Sequence, residues 1–119
     1  MKKNKNKRTR NNHSRYVDKE HLLFVSRQEC FVKNCGGSEC NGPIQVHHLL
    51  KPSDKKKGLS FKAGDDQTIP LCMHHHSELH TKFGDEFKFF QAYGKKNEAG
   101  QEFAKLLFQK GLSSFWEIY

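Results

Sequence analysis

The stretch Leu71–His80, "LCMHHHSELH", gathers one cysteine and four histidines into a single short run. Wound as an α-helix at about 100° per residue, with Cys72 at zero, His75 falls near −60°, His76 near +40°, His80 near +80° and His74 near −160°. Cys72 with His75 makes one ligand pair, and His76 with His80, four residues apart, makes another on an adjacent face. His74 points away from both and is expected to face solvent. A single metal using all four ligands would leave one helix to do the work of a whole site. Two metals sharing the helix is the more economical expectation.

The first metal is expected to be structural zinc. Such sites are tetrahedral, take Cys and His ligands and join separate chain segments. Cys72 and His75 supply the C-x-x-H half. The other half should come from the upstream stretch "CFVKNCGGSEC", Cys30–Cys40. Cys30 and Cys35 fit a C-x4-C knuckle that Gly36 and Gly37 let turn tightly, and Cys40 is the competing fourth ligand. Ordinary buried thiols are the plainer alternative, but four of them in a small His-rich chain are unusual.

The second metal is expected to be catalytic. "IQVHHLL", Ile44–Leu50, follows an Asn-Gly-Pro turn and reads as a strand. Alternation then sends His47 and His48 to opposite sides. Only one of them can readily join His76 and His80 on an ion, which leaves the other free. A neutral imidazole beside a metal-bound phosphate suits a hydrolase, because its proton affinity near neutral pH lets it take a proton from water. Three imidazoles favour zinc, nickel or other late transition ions, whereas magnesium prefers oxygen ligands.

The rest of the chain frames these sites. With 119 residues and 34% hydrophobic content, it has room for one modest core, and domains of this kind often rely on a structural metal. No apolar run suits a membrane span or a secretory signal, so no membrane partner and a cytoplasmic setting are expected, where cysteines bind metal more often than they pair. The net charge is +8 and uneven: residues 1–15 carry seven of the 21 basic residues and no acid. This segment is expected to be a disordered arm whose Arg8 and Arg10 could neutralise nucleic-acid phosphates; a solubilising tail is the alternative. "DKEHLLFVSRQE" reads as a helix capped by Asp18, burying Leu22, Leu23 and Val25. "KPSDKKKGLSFKAGDD" reads as a long polar loop, "QTIPL" as a short extended piece, and the C-terminal third as two helices joined through Gly94. Phe87, Phe90, Phe103, Leu106 and Leu107 recur at helical spacing and are expected in the core, with Trp116 as a packing anchor. The expected class is α+β: a small zinc-stabilised β-hairpin-plus-helix core at about residues 28–83, with C-terminal helices at about 84–119, all within one domain from residue 16.

"VHHLL", a loop, "DDQTIPLC" and then "HHxxxH" on a helix resemble the HNH endonucleases with a ββα-metal (His-Me finger) core. "HLLFV" ahead of a Cys, "CG", "K-x-x-D", "IPLC-x-x-HH-x-x-x-H" and "GDEFKFF" are similar to small phage and prophage members, including the recombination-enhancing nuclease group. The resemblance runs from about His21 to Gly94. It implies His48 as the general base, with His47, His76 and His80 as ligands of the catalytic ion. The middle Asn of the family pattern is missing; Gln67 or Asp65 would take its orienting role. It further implies a phage or prophage DNA endonuclease of low sequence specificity in a bacterial cell, with a recombination protein as a candidate partner. Magnesium or manganese would support turnover, and zinc or nickel could also bind. Lys51, Lys55, Lys56, Lys57 and Lys62 are candidate backbone contacts, although a charge run is as often a solvated surface. A zinc-stabilised nucleic-acid-binding module without cleavage is the rival reading, and a second His beside a ligand is the feature that such a module would not need.

Overall fold

The structure, a computed structural model, describes residues 15–52 and 63–118, with side chains to Leu112. It is a compact α+β arrangement of a β-hairpin and four helices. Helix α1 spans Lys19–Ser26, strand β1 Ile44–His48, strand β2 Thr68–Cys72, helix α2 Met73–Glu78, helix α3 Glu86–Ala92 and helix α4 Ala99–Ile118.

The two strands pair antiparallel, with Ile44 opposite Cys72 and His48 opposite Thr68. Every residue of β2 is buried, including Pro70. Proline is tolerated because the sheet has only two strands; its carbonyl still accepts the Phe31 N–H at 2.8 Å. That bond docks the Cys30 turn against β2, on the opposite side from β1.

Helix α2 begins where β2 ends. Cys72 is both the last strand residue and the N-cap, its Sγ accepting the His75 N–H. The expected helix therefore starts one residue later than the cysteine. It also changes character: Leu79–Phe83 form a π-helical turn, closed by the Gly84 N–H donating to the Leu79 carbonyl at 2.8 Å, with Gly84 at φ 65°. Such turns are uncommon and recur at functional sites.

Asp18 caps α1 as expected, accepting the His21 N–H at 3.0 Å. The buried face differs from expectation. Val25 is buried, but Leu23 is 52% exposed and His21 takes the inner position. His21 packs its ring against Phe108 of α4 at 5.1 Å, so an aromatic partner across the interface selects the histidine over the leucine. Similarly, Phe90 and Leu107 are core residues and Phe87 and Phe103 pack beside it, whereas Leu106 is turned outward. The Trp116 side chain lies outside the described residues.

The core is formed by Val32, Leu49, Ile69, Leu71, Leu79, Phe89, Phe90, Tyr93 and Ala104, and Phe31 joins it between Phe90 and Phe103. Helix α4 comes close to α3 at Gly100, where a Cβ would lie 2.6 Å from Phe90 Cζ. These contacts hold the hairpin and α2 as one rigid platform. Two groups of Cys and His side chains that could hold a metal sit on it.

Candidate functional site

The first group is Cys30, Cys40, Cys72 and His75, whose ligand atoms all lie within 4.8 Å of one another. Three local structures bring it together. The Cys30 turn is docked on β2 through Phe31, Cys72 caps α2, and the Asn41–Pro43 turn is fastened to the start of α2 by the Met73 and His74 N–H groups. His75 Nδ1 faces the thiols of Cys72, Cys30 and Cys40 at 3.1, 3.5 and 3.7 Å. Its Nε2–H donates to the Ser38 carbonyl at 3.0 Å, which fixes the tautomer with Nδ1 free for a metal.

Cys35, the preferred fourth ligand on sequence spacing, is not in this group; Cys40 is. The reason is the path of the chain. After Cys30 the backbone turns tightly, with the Cys35 N–H on the Val32 carbonyl, and Cys35 packs against the core. The reversal through Gly36 and Gly37, at φ 85° and 73°, comes next and carries Cys40 back over the site. Gly37 also sits against Tyr93, where a Cβ would be 2.8 Å from the ring.

The electrostatics suit a cation. Burial, then the neighbouring thiols, pushes Cys40 up to about 12, and burial pushes Cys30 up as well. Burial acts the same way on Cys72, but the N–H groups of His75 and Asn41 outweigh it and hold that thiol below its ordinary value. Three thiols and one imidazole so arranged are consistent with a structural zinc site.

The second group is His47, His76 and His80, again with ligand atoms within 4.8 Å of one another. His47 Nδ1 and His80 Nε2 each lie 3.2 Å from His76 Nε2. On His47 and His76 the outer nitrogen is occupied. His47 Nε2–H donates to Glu86 Oε2 at 2.6 Å, and His76 Nδ1–H donates to Gln45 Oε1 at 2.7 Å. The inner nitrogens of His47 and His76 therefore face each other as lone pairs, which repel unless a proton or a cation lies between them. Burial, then the His47 and His80 rings, pushes His76 down to about 4, so His76 itself takes up no second proton at neutral pH. A metal ion fits this donor set.

His48 leaves the strand on the other face, as alternation requires. Its Nε2–H donates to Asp65 Oδ1 at 2.8 Å. Asp65 is buried and also accepts the Asp18 N–H at 2.8 Å and a short contact from the Arg15 guanidinium. Burial alone would raise the Asp65 carboxyl, but these three donors outweigh it and hold the group at about 2. Asp65, one of the two candidate orienting residues, meets His48 through its side chain. The carbonyl of the other, Gln67, accepts the Leu49 N–H at 2.9 Å.

His74 is half-buried rather than solvent-facing, with Nε2 2.9 Å from Ser38 Oγ. It forms a third group with His75 and Glu78. This group borrows His75 from the thiol cluster and is not independent of it. Lys51 is exposed; its ammonium lies 3.4 Å from Asp85 Oδ1 and 4.1 Å above the Phe87 ring. Arg8, Arg10, Lys55, Lys56, Lys57 and Lys62 lie outside the described residues.

Sequence reasoning missed Glu86, Gln45 and Ser38. Glu86 follows the N-cap Asp85, where an acid in the first turn of a helix has an ordinary explanation. Gln45 was readable only as a residue two positions before His47 on the same strand face. No helix among the described residues is long and apolar enough to cross a membrane.

Known proteins offer a family but no activity. An uncharacterized protein of Escherichia coli (strain K12), YdfU, is 34% identical over 84 residues, which is 71% of this chain and 21% of that protein. The chain thus spans about a fifth of the length of that relative. No solved structure matches. The family model described as "Protein of unknown function (DUF968)" matches residues 3–111, a span that includes both ligand groups and the His48–Asp65 pair, and the chain belongs to that family.

Proposed function

We propose that this chain is a metal-dependent DNA endonuclease of the ββα-metal type, with zinc held by Cys30, Cys40, Cys72 and His75 as a structural brace. The observation that carries the proposal is the split at His47 and His48. One imidazole faces His76 and His80, and its sequence neighbour is held by a buried carboxylate on the opposite face. A binding module has use for the first arrangement and none for the second.

His47, His76 and His80 would hold the catalytic ion. When bound, a divalent ion there supplies positive charge at the scissile phosphate and at the departing oxygen. The chain's own residues do the rest. Asp65 accepts the Nε2–H of His48, so the tautomer with a free Nδ1 is favoured, and Nδ1 takes a proton from the attacking water. Asp65 also stabilises the imidazolium that forms. The new P–O bond to water forms as the bond to the 3′ oxygen breaks, leaving a 5′ phosphate and a 3′ hydroxyl. The net charge of +8 supports a polyanionic substrate. DNA is the proposed partner, at low sequence specificity.

The test is to incubate wild type and His48→Ala with plasmid and single-stranded DNA, with magnesium or manganese, measuring nicking and binding together. Wild type is expected to cut and His48→Ala to bind without cutting. Wild type that binds DNA but cuts under no ion would sink the nuclease reading and leave a zinc-stabilised binding module.

A further inference from the structure

Glu86 is a buried charge that the mechanism above does not use. It is 1% exposed, and its contacts are unusual in kind. Oε2 accepts both the Nε2–H of His47 at 2.6 Å and the backbone N–H of Leu50 at 2.9 Å. Oε1 accepts the backbone N–H of Lys51 at 3.0 Å. One carboxylate thus holds the first histidine of the three-imidazole group and the chain immediately after β1. His76 has a neutral amide, Gln45, in the equivalent outer position.

We propose that Glu86 is a positioning residue that sets His47 for metal capture and couples that capture to the backbone at Leu50 and Lys51. The inference rests on the assignment of His47, His76 and His80 as metal ligands. A carboxylate behind a ligating histidine fixes which nitrogen carries the proton and strengthens the other as a donor. Here the proton sits on Nε2 and the donor is Nδ1, the atom facing His76. An ion on Nδ1 polarises the ring and tightens its Nε2–H bond to Glu86. The same carboxylate then keeps the Leu50 and Lys51 N–H groups in place where the chain leaves the strand for the lysine-rich segment.

The test uses the whole 119-residue chain carrying one equivalent of zinc, titrated with cobalt as the second ion, in wild type, Glu86→Gln, Glu86→Asp and His76→Ala. Glu86→Gln is expected to weaken second-ion affinity by about 10- to 100-fold, and Glu86→Asp to recover part of it. His76→Ala is expected to lose the second ion. Folded Glu86→Gln with unchanged affinity, beside a His76→Ala that has lost binding, overturns the role of Glu86 and leaves the ligand assignment standing. His76→Ala that binds as wild type does overturns both. A measurement on wild type alone guards against a variant that fails to fold. With zinc as the second ion, nitrogen NMR should find His47 protonated on Nε2, and hydrogen exchange at the Leu50 and Lys51 amides should slow on adding the ion. The opposite tautomer, or exchange that ignores the ion, refutes the coupling.

Discussion

At His48 the proposed chemistry turns on one ring nitrogen. Asp65 takes the Nε2–H, which would leave Nδ1 as the base. His48→Ala should therefore cost roughly 10²- to 10⁴-fold in cutting rate while DNA binding persists, measured by plasmid nicking beside a binding titration. Asp65→Ala should lower the rate too, and it should also loosen the segment Arg15–Asp18, because the same carboxylate holds both. Proteolysis near residue 15 would report that second effect. The two histidines were legible in the sequence, because strand alternation alone separates them. Glu86 and Gln45 were not. Each touches a histidine from a different element, and nothing local distinguishes an ordinary first-turn acid from one that holds a histidine.

At the scale of the elements, the thiol site depends on the turn between Cys30 and Asn41. Spacing favoured Cys35, since C-x4-C is a plausible knuckle. Spacing does not show that the chain reverses at Gly36 and Gly37, after Cys35 has turned into the core. Cys40→Ser is expected to lose the zinc and much of the stability, whereas Cys35→Ser should keep about one zinc per chain through mild chelation. Metal analysis with thermal unfolding decides between them. Helix α4 offers an independent check on the packing. Gly100→Ala places a methyl group against the buried Phe90 ring and should destabilise by about 1–3 kcal/mol, seen as a lower denaturant midpoint. The amphipathic helices and the hairpin were readable from periodicity. The choice of His21 over Leu23 as an inward residue was not, because it is made by Phe108, far away in sequence.

For the whole molecule, stability should depend on pH through groups buried in the uncharged form. Burial pushes His21 below its ordinary value, against a smaller opposing pull from Asp18, Asp66 and Asp65. Its Nε2 is buried and has no hydrogen-bond partner among the described residues. The unfolded chain therefore binds a proton at His21 more readily than the folded one does. Stability is expected to fall as pH drops below about 6.5 and to keep falling until the folded value is passed. Urea midpoints at pH 7 and pH 5 should differ less in His21→Phe than in wild type. Asp65 is shifted in the same direction, here because its charged form is favoured, so its contribution is present above about 4 and is lost as pH falls towards 2.

Helix α2 carries His75 for one ligand group and His76 for the other on consecutive residues. An added or deleted residue between Cys72 and His80 would rotate everything beyond it by about 100° and misplace the ligands on one side of it relative to those on the other. Substitutions at the non-ligand positions of this segment leave the ligands in register, whereas a change of length does not. Natural variation in this family should therefore respect a fixed reading distance from Cys72 to His80. Among random single-codon insertions selected for a folded, zinc-bound protein, this nine-residue window should stay empty while insertions accumulate elsewhere.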